Sequence, residues 1–171
     1  MALPLIAGNW KMNGLAAESG RRVLELRVRQ GAGGLDHVEL AVFPPHPLLP
    51  LIARALDGSR IALGAQDCHE KTSGAHTGDV SAELLADVGC SYVILGHSER
   101  RQDHGEDDAM VKAKAGAAVA AGLVPVVCLG ETEAERDAGR ALAVVERQLA
   151  GALPERVAPE KLAIAYEPVW A

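Results

Sequence analysis

The chain has 171 residues, of which 49% are hydrophobic and 23% charged, with a formal net charge of −6. That length can bury one substantial core, and that composition excludes intrinsic disorder. The acid excess argues against a general nucleic-acid binder, which needs a basic stripe, but leaves room for a local anion site built from a few cations and helix N-termini.

Six short apolar runs follow one another along the chain: Leu5–Gly8, Val38–Phe43, Ile61–Ala65, Tyr92–Gly96, Val124–Leu129 and Leu162–Tyr166. They are partly β-branched and almost continuously apolar, the pattern of strands buried on both faces. Longer amphipathic stretches lie between them. Gly31–Gly34 reads as a turn cluster, and Pro44, Pro45 and Pro47 close the second strand and open the second helix. Ser81 is placed to cap a helix carrying Leu84, Leu85 and Val88. Asp107 and Asp108 suit the start of the next helix, which Gly122 would stop. Thr132 and Glu135 have the spacing of a capping box. The spacing of Ala134, Ala138, Ala141, Leu142, Val145 and Leu149 predicts one helical face running on from it.

Strict β/α alternation predicts parallel strands with right-handed crossovers. Two architectures satisfy it, an open doubly wound sheet and a (β/α)8 barrel. No G-x-G-x-x-G follows the first strand, which weakens the dinucleotide-binding form of the open sheet. Cys68, Cys90 and Cys128 are odd in number and far apart, as reduced thiols in the cytoplasm would be. The apolar residues 2–7 are too few for a signal peptide, and no run approaches the roughly 18 apolar residues of a membrane span. A soluble, cytoplasmic protein with no membrane partner is expected.

In parallel α/β folds the chemistry gathers at the carboxyl ends of strands. The first strand ends in Asn9-Trp10-Lys11, where alternation would set Asn9 and Lys11 on one face. An amide and an ammonium there can polarise a carbonyl and neutralise a phosphate; equally, they describe a surface lysine beside a turn asparagine. The fourth ends in Gly96-His97-Ser98-Glu99, placing His97 at a helix start, where added positive charge is disfavoured and the ring stays neutral. A plain loop histidine reads the same way, and Glu99 with its neighbouring arginines could be solvated ion pairs. The sixth ends in Tyr166-Glu167-Pro168, where an enclosed carboxylate would have its pKa raised toward that of a general base. A helix-capping acid is the plainer reading of Glu167 alone. Together, one base, one electrophile and a cation with no nucleophile–base pair fit proton abstraction beside a carbonyl.

Gly8-Asn9-Trp10-Lys11-Met12-Asn13-Gly14, Gly64-Ala65-Gln66-Asp67-Cys68, Ser73-Gly74-Ala75-His76-Thr77-Gly78, Gly96-His97-Ser98-Glu99-Arg100-Arg101, Cys128-Leu129-Gly130-Glu131 and Ala165-Tyr166-Glu167-Pro168-Val169-Trp170-Ala171 occur in the order in which triosephosphate isomerases carry such motifs. The chain resembles that family from residue 5 to its last residue. The resemblance implies a (β/α)8 TIM barrel and interconversion of dihydroxyacetone phosphate and glyceraldehyde 3-phosphate in glycolysis and gluconeogenesis. Lys11 with Asn9 would bind substrate, His97 would be the neutral electrophile and Glu167 the base, with Glu99 supporting Lys11; these roles are the family's own and long familiar there. No cofactor and no metal are implied. A homodimer is, through a loop over residues 67–79 that starts at Asp67 and has Thr77 at its tip. Asp67 and His76 stand where many relatives carry a neutral amide and an aromatic residue.

The resemblance also implies that residues 1–171 form a single incomplete barrel domain of about six β units, lacking the last two. With those units would go the loops that grip phosphate, so little activity is expected of these residues alone. The alternative is a non-catalytic, self-associating fragment with open strand edges. Another barrel isomerase of sugar phosphates fails on the pairing of the histidine and glutamate motifs. Cys68, His69 and His76 lie close in sequence, but their spacing fits no zinc pattern.

Overall fold

The computed structural model describes residues 3–155 and 157–170; Ala2 and Ala171, at the ends of two segments discussed above, lie outside them. The strands are β1 (Leu5–Asn9), β2 (Glu39–Phe43), β3 (Ile61–Ala65), β4 (Tyr92–Leu95), β5 (Val124–Leu129) and β6 (Ala163–Tyr166). They form one parallel sheet in the order of the sequence. That order decides between the two architectures. A doubly wound sheet reverses its strand order at a switch point, whereas a barrel winds in one direction throughout.

The crossovers carry α1 (Ala16–Gly31), α2 (Leu49–Leu56), α3 (Ala82–Val88), α4 (Ser98–His104), α5 (Asp108–Ala120), α6 (Glu133–Asp137) and α7 (Ala141–Ala152). The expected caps are present. Ser81 Oγ accepts from Leu84 N–H, Asp107 Oδ1 from Met110 N–H, and Thr132 with Glu135 forms a reciprocal capping box. The single helical face expected beyond Thr132 is broken. Gly139, with φ +68°, separates α6 from α7. The break re-phases the second helix, so Val144, Gln148 and Ala152 are its buried residues and Leu142 is 78% exposed.

Side chains alternate across the sheet into two clusters. Toward the helices, Leu63, Val93, Leu95, Val127 and Leu129 pack with Val23, Ile52, Leu85 and Val111. Each fully buried Ile or Leu there contributes roughly 1.5–3 kcal/mol. On the other face, Ala41, Phe43, Ile94, Val126 and Cys128 form a smaller cluster with Ala62, Ala163 and Ala165. Small residues suit this face because Phe43 fills it: a Cβ on Gly64 would lie 2.2 Å from the Phe43 ring.

The expectation of strands buried on both faces holds for β2–β5 and fails at the two outer strands. Ile6 in β1 is 54% exposed, and Ile164 and Tyr166 in β6 are 44% and 54% exposed. Each outer strand pairs on one side only among the described residues.

Candidate active site

Asn9, Lys11, Gln66, His97 and Glu99 line one cleft of about 590 Å³ at the carboxyl ends of β1, β3 and β4. Asn9 and Lys11 reach it together, though not by strand alternation. The strand ends at Asn9, and Lys11 adopts φ +52°, the only positive φ of a non-glycine residue among the described residues. Asn9 Oδ1 accepts from the Lys11 backbone N–H at 2.9 Å, which turns the chain so that both side chains face the cleft.

His97 caps α4 and is 7% exposed. Its Nδ1 accepts from Glu99 N–H at 3.3 Å, so the ring's donor is Nε2, aimed at the Glu167 carboxylate 3.2 Å away. Glu99 spans the space between the other two groups: one oxygen is 2.9 Å from Lys11 Nζ and the other 3.5 Å from His97 Nδ1. The four residues therefore run in the order Lys11–Glu99–His97–Glu167, joined by the Lys11–Glu99 ion pair, the Glu99 backbone N–H on His97 Nδ1 and the His97 Nε2–Glu167 contact. The hydrogen bond from Lys11 holds Glu99 below the usual carboxylate pKa, and the same bond lifts Lys11 above that of an ordinary lysine. The Glu167 side chain is half-buried, 40% exposed. It leaves the outer strand β6, which among the described residues has β5 alone beside it.

Two strand-end residues in or beside the site were given no role from the sequence. Glu131, just past β5, is fully buried and accepts from Tyr166 OH, Trp170 Nε1 and Arg136. Its own backbone N–H, then the Trp170 indole, hold its carboxyl below the usual value. The Arg136 guanidinium lies 4.5 Å from the centre of the Trp170 ring, so the segment after Glu167 is held from both sides. Gln66, just past β3, donates to the carbonyls of Lys11 and Phe43. Both obey the strand-end rule that singled out Asn9, His97 and Glu167; applied to every strand, it would have found them.

Asp67 stands at the root of its loop with its carboxylate turned inward. Lys114 Nζ lies 2.9 Å from it and Arg100 2.9 Å, and both cations also reach Glu106 at 2.6 Å. Thr77 is exposed in a turn of the same loop. The three residues weighed for a metal do not converge, because Cys68 is buried with its thiol toward the Lys114 carbonyl. His69, His76 and Asp79 do come together. However, His69 Nδ1 accepts from Lys71 N–H, which puts the ring's proton on Nε2 and leaves no lone pair there for an ion. The two rings stack at 4.2 Å.

A sheet of sequentially ordered parallel strands, with its polar groups gathered at the strands' carboxyl ends, defines a protein of the (β/α)8-barrel class. The family model for triosephosphate isomerase matches residues 4–171. The triosephosphate isomerase of Afipia carboxidovorans is 58% identical over 98% of this chain and 66% of its own length. That of Acidiphilium cryptum is 56% identical over 98% of this chain and 67% of its own. The crystal structure of the Bartonella henselae triosephosphate isomerase superposes with a TM-score of 0.89 at 44% identity, over 98% of this chain and 69% of that one. The chain belongs to the triosephosphate isomerase family and spans about two thirds of the length of these relatives.

Proposed function

We propose that the protein interconverts dihydroxyacetone phosphate and glyceraldehyde 3-phosphate by proton transfer through an enediolate, in glycolysis and gluconeogenesis. The observation that carries this reading is the polar chain Lys11–Glu99–His97–Glu167, whose members come from three separate strand ends. Glu167 removes the proton from the carbon beside the carbonyl. The His97 Nε2–H that now points at Glu167 is the donor a substrate carbonyl would take, and it stabilises the oxyanion as charge develops. Lys11, with Asn9 beside it, neutralises phosphate and enediolate charge, and Glu99 holds the ammonium in place until substrate arrives. A base, a neutral donor and a cation complete such a proton transfer, so the reaction calls for no cofactor.

The loop over residues 67–79, exposed at 70–75 and 77–79 with Thr77 in a turn, supports a homodimer in which the loop reaches a second copy. Three buried free thiols suit a reducing cytoplasm. The net charge of −6 disfavours nucleic acid as a partner. No helix among the described residues is long and apolar enough to cross a membrane.

The test is an isomerase assay with glyceraldehyde 3-phosphate on protein freed of host isomerase. Conversion that Glu167→Gln abolishes supports the reading, and conversion indifferent to that change rejects it. Residues 1–171 alone should turn over far below the roughly 10 per second of a median enzyme, because closure over substrate and phosphate positioning supply much of such rates. No turnover at all together with self-association would favour the non-catalytic alternative, which the exposed outer strands support.

A further inference from the structure

The backbone of Lys11 sits where an L-residue with a long side chain is rarely found, at φ +52°. A single residue held there costs about 1–3 kcal/mol, so it persists only where neighbours over-determine it. Two of the hydrogen bonds around it are local. Asn9 Oδ1 accepts from Lys11 N–H, and Asn13 Nδ2 donates to the Trp10 carbonyl. Bonds of this range can shape a turn but cannot fix it against the sheet.

The third tie comes from 55 residues away. Gln66 Nε2 donates to the Lys11 carbonyl at 2.9 Å and to the Phe43 carbonyl at 2.8 Å. Both protons of one primary amide are thereby spent on joining the turn after β1 to the end of β2. The next residue, Asp67, is gripped by Lys114 and by Arg100, and Arg100 adjoins Glu99. Both partners of the Lys11–Glu99 pair are thus referenced to the same short exit from β3.

We propose that Gln66 is a positioning residue that sets the Lys11 ammonium against Glu99 by holding the Lys11 carbonyl. Its purpose rests on the reading of Lys11 as the substrate-binding cation, but its test does not depend on activity. Gln66→Met keeps the side-chain length and removes both N–H donors. The readout is the titration of the Glu99 carboxyl, followed by carbon NMR and assigned with Glu99→Gln. Lys11→Met supplies the reference, since removing the ammonium releases Glu99 upward.

Gln66→Met should move the Glu99 midpoint upward by about half or more of the Lys11→Met displacement, with the protein still folded by circular dichroism. A folded Gln66→Met with the Glu99 midpoint unmoved overturns the proposal. A purely structural role would lower the melting temperature and leave that midpoint in place. Should Gln66→Met fail to fold, Gln66→Asn retains the donors but withdraws them by one methylene. It should shift the midpoint in the same direction, and an unmoved midpoint in that variant overturns the proposal equally. Loss of the isomerase reading would appear in the assay alone and would leave both titrations as they are.

Discussion

Two lysine–glutamate pairs of similar length sit at opposite extremes of burial. Lys11 lies 2.9 Å from Glu99 with the side chains 49% and 52% exposed; Lys114 lies 2.6 Å from Glu106 with the side chains 8% and 1% exposed. At the cleft, water already screens the pair, so parting Lys11 from Glu99 costs little, as the proposed role of Lys11 requires. Inside, Lys114 and Glu106 hold one another, and neither of that pair can leave without stranding a charge. The same two residue types thus act as an open hand at the cleft and as a rivet beneath it.

The largest expected effect breaks the rivet. Lys114→Met should destabilise the fold by about 3–5 kcal/mol in urea unfolding, because it strips two buried carboxylates of a partner. Lys11→Met should change stability by less than about 1 kcal/mol. Equal losses from the two would erase the comparison. The rivet also predicts a pH profile. Burial pushes Glu106 up, but Lys114 and Arg100 outweigh it and hold its pKa below the usual value. Its stabilisation is therefore full above the ordinary carboxylate range and is lost as pH falls through the depressed folded value. Burial pulls Lys114 down, but Asp67 and Glu106 raise it overall. Its share is present below the ordinary lysine value and is lost as pH rises through the raised one. Unfolding free energies measured against pH should fall at both ends, and Glu106→Gln should flatten the acid limb.

Next in size is the residue proposed as the base. Glu167→Asp withdraws the carboxylate by about an ångström, and misplacement on that scale costs on the order of 100-fold in kcat. Unchanged turnover in the active enzyme would remove Glu167 from that role. Lys11→Arg should then lose on the order of tenfold in affinity for a phosphate-bearing inhibitor, since a planar fork cannot occupy the place of a compact ammonium held by a left-handed backbone. Affinity that stays level would count against that geometry.

The smallest effect falls on Asp67. There burial outweighs Lys114 and Arg100, and the carboxyl is raised overall, the reverse of Glu106. Asp67→Asn should cost no more than about 1 kcal/mol by urea unfolding, well below Glu106→Gln. A loss as large as that of Lys114→Met would show that Asp67 is a full member of the rivet.

Much of this was legible in the sequence, for reasons tied to range. The strand runs, the three caps and the strand-end Lys11, His97, Glu99 and Glu167 depend on local pattern, and the structure brings the four side chains into one chain of contacts. The apolar runs of β1 and β6 read like those of β2–β5, yet they stand at the outside. An apolar run records what a strand tolerates, not what stands beside it. The break at Gly139 was hidden because apolar spacing continued across it while the backbone did not. Gln66 and the Lys114 cluster are long-range, and no local pattern pairs residue 66 with residue 11. Lys114 did leave a trace, lying at helical spacing among Val111, Ala115 and Ala118, all of which are buried.

Isotope exchange tests the central claim most directly. Dihydroxyacetone phosphate incubated in heavy water with the purified protein, freed of host isomerase, should take up deuterium at the hydroxymethyl carbon beside its carbonyl. Long incubation makes even slow abstraction visible. The account predicts uptake with the native chain and none above background with Glu167→Gln. Uptake that persists undiminished in Glu167→Gln would contradict it, because the proton would then be moving through a group other than the one placed 3.2 Å from His97.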